Sequence, residues 1–327
     1  HIIMKKVCVV GAGRWGLNHI KTLHNLNALG GIVESNSETL ESLKTTYPDV
    51  ACYSNISNAL NDNFNGFTVA TPAPTHYSIA KRIIEAGKHI LIEKPITLNS
   101  DEAKILAKLA VEENVNLMVG HVLLFHPAFN KIKSLLEDGS LGELQYMYSN
   151  RLNLGTIRTE ENVFWSFAPH DIALFQYFTN SFPNNITSRG VDTLQNGIHD
   201  TTITSLQYPN RIMGHIFVSW LHPFKEHRFV IVGSKAMIRF EDSAEGKPLI
   251  FYNKTVDWID NIPTPQNGPT KHIDYDSAMP LTEELNYFVN HLNGSPITIC
   301  NSESAVDVMK ILEAATESLT GELKNHD

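Results

Sequence analysis

A short apolar run, Val7-Cys8-Val9-Val10, passes directly into Gly11-Ala12-Gly13-Arg14-Trp15-Gly16, and Leu17, Ile20, Leu23 and Leu26 follow at near-helical spacing. This strand, glycine turn and helix constrain the fold more than any other feature. A G-x-G-x-x-G string at the junction of a buried strand and a helix is the fingerprint of a dinucleotide-binding βαβ unit. Gly11 permits the tight turn, Gly13 lets the backbone approach a pyrophosphate, and Gly16 lets the helix pack close to the sheet. The helix start, with Arg14 and Trp15, offers free N–H groups and a positive dipole end to phosphates. Glu34 follows the next strand, Gly31-Ile32-Val33, where a carboxylate accepts bonds from both adenosine ribose hydroxyls. No arginine immediately follows it to receive a 2′-phosphate, so NAD is expected as cofactor ahead of NADP.

The same rhythm continues. Phe67 to Ala70, His89 to Ile92 and Leu117 to Val119 read as further buried strands. Ile79, Ala80, Ile83 and Ile84 form a helix face that stops at Gly87, and Asn99 with Glu102 resembles a capping box. After about Gly120 the pattern changes. A helix from Pro127 toward Leu136 precedes alternating stretches at Glu143 to Leu154, Thr201 to Tyr208, Arg211 to Trp220, Arg228 to Val232 and Ala236 to Phe240. A helix from Pro169 to Phe178 interrupts this region, and helical patterns at Leu281 to Leu292 and Ser304 to Leu319 end the chain. Thr255 to Thr270, rich in Asn, Pro and Gly, reads as loop. The expected fold class is α/β: an N-terminal Rossmann dinucleotide-binding domain over residues 4–122, onto which the final helices 279–322 pack back, and a C-terminal α+β domain over 123–327. The second domain, for substrate binding and oligomerisation, is built on a large open, mostly antiparallel sheet.

A formal net charge of −9 argues against nucleic acid and against anionic membranes as partners. The three cysteines, Cys8, Cys52 and Cys300, have no metal-ligand or disulfide spacing, which fits a reducing, cytoplasmic setting. The 15 histidines include no His-Glu-x-x-His, and His121/His126 and His222/His227 lack zinc-site spacing, so no metal is expected.

Ala70-Thr71-Pro72-Ala73-Pro74-Thr75-His76 and Ile92-Glu93-Lys94-Pro95 stand at consecutive strand ends, the edge where ligands bind in open α/β sheets. With the fingerprint, they resemble the glucose–fructose oxidoreductase/inositol dehydrogenase (Gfo/Idh/MocA) family over nearly the whole chain. The resemblance implies that Thr71, Pro72, His76, Glu93 and Lys94 border the cofactor, and that Lys94 also contacts the reacting hydroxyl. Its ammonium would then stabilise charge developing on the substrate oxygen. The family's histidine at the start of a second-domain helix matches Ala168-Pro169-His170-Asp171-Ile172 and assigns proton acceptance to His170. Many relatives carry aspartate four residues earlier, where this chain has Ser166. The catalytic duty then rests on Lys94 and His170 alone, or Asp171 partly compensates.

The segment from Asn150 to Trp165 resembles the branch of the family that acts on nucleotide-linked amino sugars. On that reading the chain oxidises a ring hydroxyl, C3, of a substrate such as UDP-N-acetylglucosamine, and a pathway aminotransferase acts next. Arg151 and Arg158 suit a diphosphate, since guanidinium forks bind phosphate bidentately, though either can instead pair with carboxylates or sheet neighbours. His126, Asn153 and Asn162 can bond sugar groups, and Trp165 is either core packing or a sugar platform. Two alternatives stay open: an inositol or free-sugar dehydrogenase of the same family, and a non-catalytic NAD-binding sensor, for which Ser166 speaks. Ile203, Met213, Ile216 and Val218 are expected on an open sheet face covered by another subunit, in a homodimer or homotetramer.

Overall fold

A computed structural model describes residues 6–323; the start of the first domain, expected at Met4, and the last four residues lie outside that range. The chain forms two compact units. One runs to Phe125 and includes Ala278–Met309, and the other comprises His126–Ser277 and the chain from Lys310.

The first unit is built on six parallel strands, β1 (Val7–Val10), β2 (Leu29–Val33), β3 (Ala51–Tyr53), β4 (Gly66–Val69), β5 (His89–Ile92) and β6 (Leu117–Val119). Their spatial order is β3-β2-β1-β4-β5-β6. The helices between them are α1 (Arg14–Asn25), α2 (Ser37–Thr46), α3 (Ile56–Leu60), α4 (His76–Glu85) and α5 (Ser100–Glu112). Every residue of β1 and β4 is buried, as a strand covered on both faces requires. The chain leaves β1 toward β2 on one side and returns to β4 on the other, so the crevice for a ligand opens at the carboxyl ends of these two strands. The register aligns Val10 with Val33 and Val69, and Val69 with Ile92, so the loops that follow share one edge. The Asn99 side chain accepts from the Glu102 N–H and starts α5, and Gly87 takes the left-handed conformation that ends α4. The edge strand β3 has no partner in the sequence reading. It is only three residues long, Ala51 to Tyr53, and none of them is buried.

The second unit carries α6 (Pro127–Glu137), β7 (Leu144–Leu152), α7 (Val163–Phe167) and α8 (Pro169–Thr179). There follow β8 (Asn185–Val191), β9 (Thr201–Gln207), β10 (Met213–Ser219), β11 (Glu226–Gly233), β12 (Met237–Glu241), β13 (Leu249–Ile259) and β14 (Ile262–His272). The eight strands lie in the order β14-β13-β12-β11-β7-β10-β9-β8. All neighbours are antiparallel except β7 and β10. Phe129 of α6, Phe175 and Phe178 of α8, and Phe229 and Phe240 of the sheet meet edge to face with centroids 5.2–5.7 Å apart. Only glycine fits at position 214, because a Cβ there would lie 2.6 Å from the Phe175 ring. The chain then returns to the first unit with α9 (Pro280–Asn290), and α10 (Ser302–Leu323) closes the described chain.

Two expectations are corrected. Thr255 to Thr270 is not a loop: it lies in the hairpin β13–β14. Asp260 and Asn261 both have positive φ, as a two-residue turn matching the sheet twist requires. Pro263, Pro265 and Pro269 are tolerated because β14 is an edge strand and some of its N–H groups face no neighbour. The open face is also differently composed. Ile203 and Met213 are exposed as expected, but Ile216 and Val218 are fully buried. Side chains alternate along β10, so Met213, His215 and Phe217 share one face while Ile216 and Val218 share the other.

Candidate active site

Three glycines shape the turn after β1. Gly11 has φ +95°, and a Cβ on it would lie 2.8 Å from Thr71 Cγ2. A Cβ on Gly16 would fall 1.9 Å from the Gly11 carbonyl oxygen, so only glycine lets α1 start this close to the turn. Gly13 is different. It caps α1 in an ordinary extended conformation, and a Cβ there would meet no protein atom within 4 Å. The bare backbone at Gly13 therefore faces open space at the helix N-terminus, as a pyrophosphate cradle requires. Glu34 holds this loop: one carboxylate oxygen accepts from the Ala12 N–H at 2.7 Å and the other from the Asn36 N–H at 3.0 Å. Each oxygen keeps a second lone pair for a ribose hydroxyl. Arg14 and Trp15 are exposed on the first turn of α1, and Trp15 meets His19 edge-on. These residues fit a dinucleotide.

The loops after β4 and β5 are tied together by His76. Its two ring nitrogens lie 2.7 Å from the Thr71 and Pro95 carbonyl oxygens, and the side chain is buried. His76 thus fixes the loops instead of presenting a free nitrogen to a cofactor. Thr71 accepts from the Thr75 hydroxyl, and Pro72 is exposed at the rim. Glu93 is likewise turned inward: its Oε1 meets His19 Nε2 at 2.7 Å, and Oε2 accepts from the Lys94 N–H at 3.3 Å. Its carboxylate lies against Gly120, where a Cβ would approach it to 2.7 Å. Lys94 is half-buried just beyond the end of β5, at the carboxyl edge of the sheet. His121, which the sequence reading did not select, stands after β6 on the same edge. Burial and then the nearby Lys94 charge push its pKa down to about 3, so the ring stays neutral. The available signal was its place at a strand end, directly after Val119-Gly120.

In the second unit, His170 is the second residue of α8, after Pro169 at the first. Asp171 does not assist it. That carboxylate is fully buried and takes Arg151 bidentately, Oδ2 from Nε at 2.9 Å and Oδ1 from Nη2 at 3.1 Å. Burial opposes the Arg151 charge, but Asp171 outweighs it and holds the guanidinium pKa up. The Arg151 Nη1 lies 3.1 Å from His227 Nδ1, whose pKa is pushed down to about 4 by burial and then by Arg151. The expected phosphate fork at Arg151 is therefore an internal ion pair, and Asp171 is no substrate ligand. Arg158 is half-exposed, with Glu160 at 3.8 Å. His126 is buried, accepts from the Ala128 N–H at the start of α6 and packs against Phe129, Phe240 and Tyr275. Asn162 caps α7 by accepting from the Trp165 N–H, and the Trp165 indole donates to Thr316. These roles are structural, because short polar side chains at helix starts satisfy N–H groups that the helix leaves open. Asn153, half-buried just past β7, donates its backbone N–H to the Ser219 carbonyl.

The model of an oxidoreductase family with an NAD-binding Rossmann fold matches residues 5–121, and the GFO/IDH/MocA C-terminal domain matches residues 129–239. Together they cover more than two thirds of the chain. The chain belongs to the GFO/IDH/MocA family. Its cofactor is NAD, in keeping with the Gly13 cradle and the Glu34 carboxylate. UDP-N-acetylglucosamine 3-dehydrogenase from Acidithiobacillus ferrooxidans is 28% identical over 196 residues, which are 58% of this chain and 59% of that relative. The match thus spans less than two thirds of the relative's length. Inositol 2-dehydrogenase from Corynebacterium glutamicum is 28% identical over 144 residues, 42% of this chain and 43% of the relative. The solved A. ferrooxidans structure superposes with a TM-score of 0.86 at 21% identity, covering 99% of this chain and 100% of that one. That of scyllo-inositol dehydrogenase from Lactobacillus casei gives 0.78 at 18% identity, covering 98% and 97%. Among the described residues, no helix is long and apolar enough to cross a membrane.

Proposed function

We propose that the protein is an NAD-dependent dehydrogenase that oxidises a ring hydroxyl, at C3, of a nucleotide-linked amino sugar such as UDP-N-acetylglucosamine. The observation that carries the dehydrogenase reading is Lys94. It stands half-buried at the carboxyl edge of the same sheet whose first turn bares the Gly13 backbone, beside a neutral His121. The ammonium is suited to stabilise negative charge on a substrate oxygen. NAD, when bound, supplies the hydride acceptor. His170 takes the hydroxyl proton, an assignment supported by its match to the family's helix-start histidine. With Asp171 occupied by Arg151 and serine at position 166, no carboxylate of the Ala168–Asp171 segment serves as its relay.

The nucleotide-sugar preference is supported by the likeness to the A. ferrooxidans 3-dehydrogenase and by the exposed Arg158. A second reading, oxidation of a free cyclic polyol, is favoured by the internal pairing of Arg151, which leaves one fewer cation for a diphosphate. The test supplies the protein with NAD and, separately, UDP-N-acetylglucosamine, N-acetylglucosamine and inositol, traps the ketone and follows NADH absorbance. NADH formed with the nucleotide sugar alone, and lost in Lys94→Ala, is the expected result. Turnover of inositol instead assigns the polyol reading. NAD binding without turnover of any of them overturns both.

A further inference from the structure

Behind Lys94 lies a group of buried titratable side chains that the proposed chemistry does not use. Glu284 on α9 is fully buried, and neither carboxylate oxygen has a hydrogen-bond partner. One of its oxygens lies within 4.8 Å of ligand-capable atoms of both His19 and Glu93. The titratable side chains gathered around it come from three elements. Helix α1 presents His19, the end of β5 presents Glu93, and the segment before α10 presents Cys300. The turn Val122–Phe125, also packed on α9, carries no titratable side chain. Two ionised carboxylates this close in a dry site repel strongly, and an ionised one without a donor is costly. Burial first, and Glu93 second, drive the Glu284 pKa well above the ordinary carboxyl range. The same carboxylate, after burial, helps to raise the Cys300 thiol.

We infer that Glu284 is a positioning residue for Lys94: as a neutral carboxylic acid it leaves the adjoining Glu93 carboxylate held between His19 and the Lys94 N–H. Glu93 is the mechanical link. Its Oε1 is held by His19 and its Oε2 by the Lys94 backbone, and its carboxylate packs against the bare backbone of Gly120. When rising pH removes the Glu284 proton, the new charge pushes on Glu93, and the strand end that bears Lys94 loses its anchor. The glutamine isostere, which stays neutral, keeps the arrangement at every pH.

The inference rests on the dehydrogenase reading only for its effect on turnover, so the test has two arms. In the first, infrared spectra of wild type and Glu284→Gln are compared in D2O from pH 6 to 8, a range above the ordinary carboxyl pKa of about 4.3. A carbonyl-stretch band of a buried protonated carboxyl, present in wild type and lost in the variant, is expected. Its absence from wild type overturns the inference. So does a rise in wild-type melting temperature on adding zinc or manganese that Glu284→Gln lacks, because the three side chains would then form a metal site. In the second arm, kcat and the KM for NAD are followed toward alkaline pH. The wild-type kcat is expected to fall at lower pH than that of Glu284→Gln, with KM little changed. Superposed profiles would mean that Glu284 merely fills space. If no substrate turns over, the dehydrogenase reading fails while the infrared result still decides the state of Glu284.

Discussion

Gly13 and Gly16 belong to one short string, yet the structure assigns them opposite sensitivities to a single methyl group. At Gly16 an added Cβ would stand 1.9 Å from the Gly11 carbonyl oxygen, a backbone atom that cannot swing aside. Helix α1 would have to move off the turn, so Gly16→Ala should cost several kcal/mol, about 3 or more, as overpacking against a rigid neighbour does. At Gly13 the Cβ meets nothing within 4 Å, and φ −71° with ψ −170° suits alanine. Reduced freedom of the unfolded chain gains about 0.4–1 kcal/mol there, and the poorer N-cap loses a similar amount, so stability should stay within roughly 1 kcal/mol. The methyl group would occupy the space of the pyrophosphate. Displacing one or two hydrogen bonds to a charged oxygen, at about 1.5–3 kcal/mol each, predicts NAD binding weaker by about 3 kcal/mol, on the order of 150-fold. Calorimetric titration with NAD and thermal melts of both variants check this. Wild-type affinity in Gly13→Ala, or a melt as low as that of Gly16→Ala, would refute the assignment of Gly13 to the cofactor side.

Asp171→Ala strands the buried Arg151 charge and should destabilise the fold by about 3–5 kcal/mol, whereas replacing both partners with apolar residues should cost much less; denaturant melts compare them. His227 and His121 have folded pKa values pushed below the unfolded value of about 6.5, to about 4 and about 3. Their contribution is therefore complete above about pH 6.5 and lost as pH falls through that window, and His227→Gln should flatten the melting temperature between pH 6.5 and 4. The exposed Ile203 and Met213 lead us to expect a homodimer or a larger homo-oligomer through the open sheet face; a lysine at each should shift the light-scattering mass to that of one chain, and a wild type already at that mass refutes the assignment.

What the sequence determined by itself was local and periodic. Strands buried on both faces, such as β1, β4 and β5, appear as unbroken apolar runs, and the glycine string carries its own reason for standing between β1 and α1. Glu34 was legible because it sits at a strand end, where a short count along the chain suffices, whereas Lys94 entered through the resemblance of Glu93-Lys94-Pro95 to the family. The pairing of side chains distant in sequence was not legible. Arg151 meets Asp171 across a strand and a helix, and His19, Glu93 and Glu284 come together from three elements. No periodicity encodes which carboxylate an arginine will choose, since that choice depends on the three-dimensional path of both backbones and on the cost of burying either charge alone. The prolines of β14 make the same point: they read as loop until the sheet order puts them on an edge, where a missing N–H costs nothing. The sheet order, the buried ion pair and the cluster of His19 with Glu93 and Glu284 were decided by tertiary structure, because each depends on contacts between segments far apart in the chain.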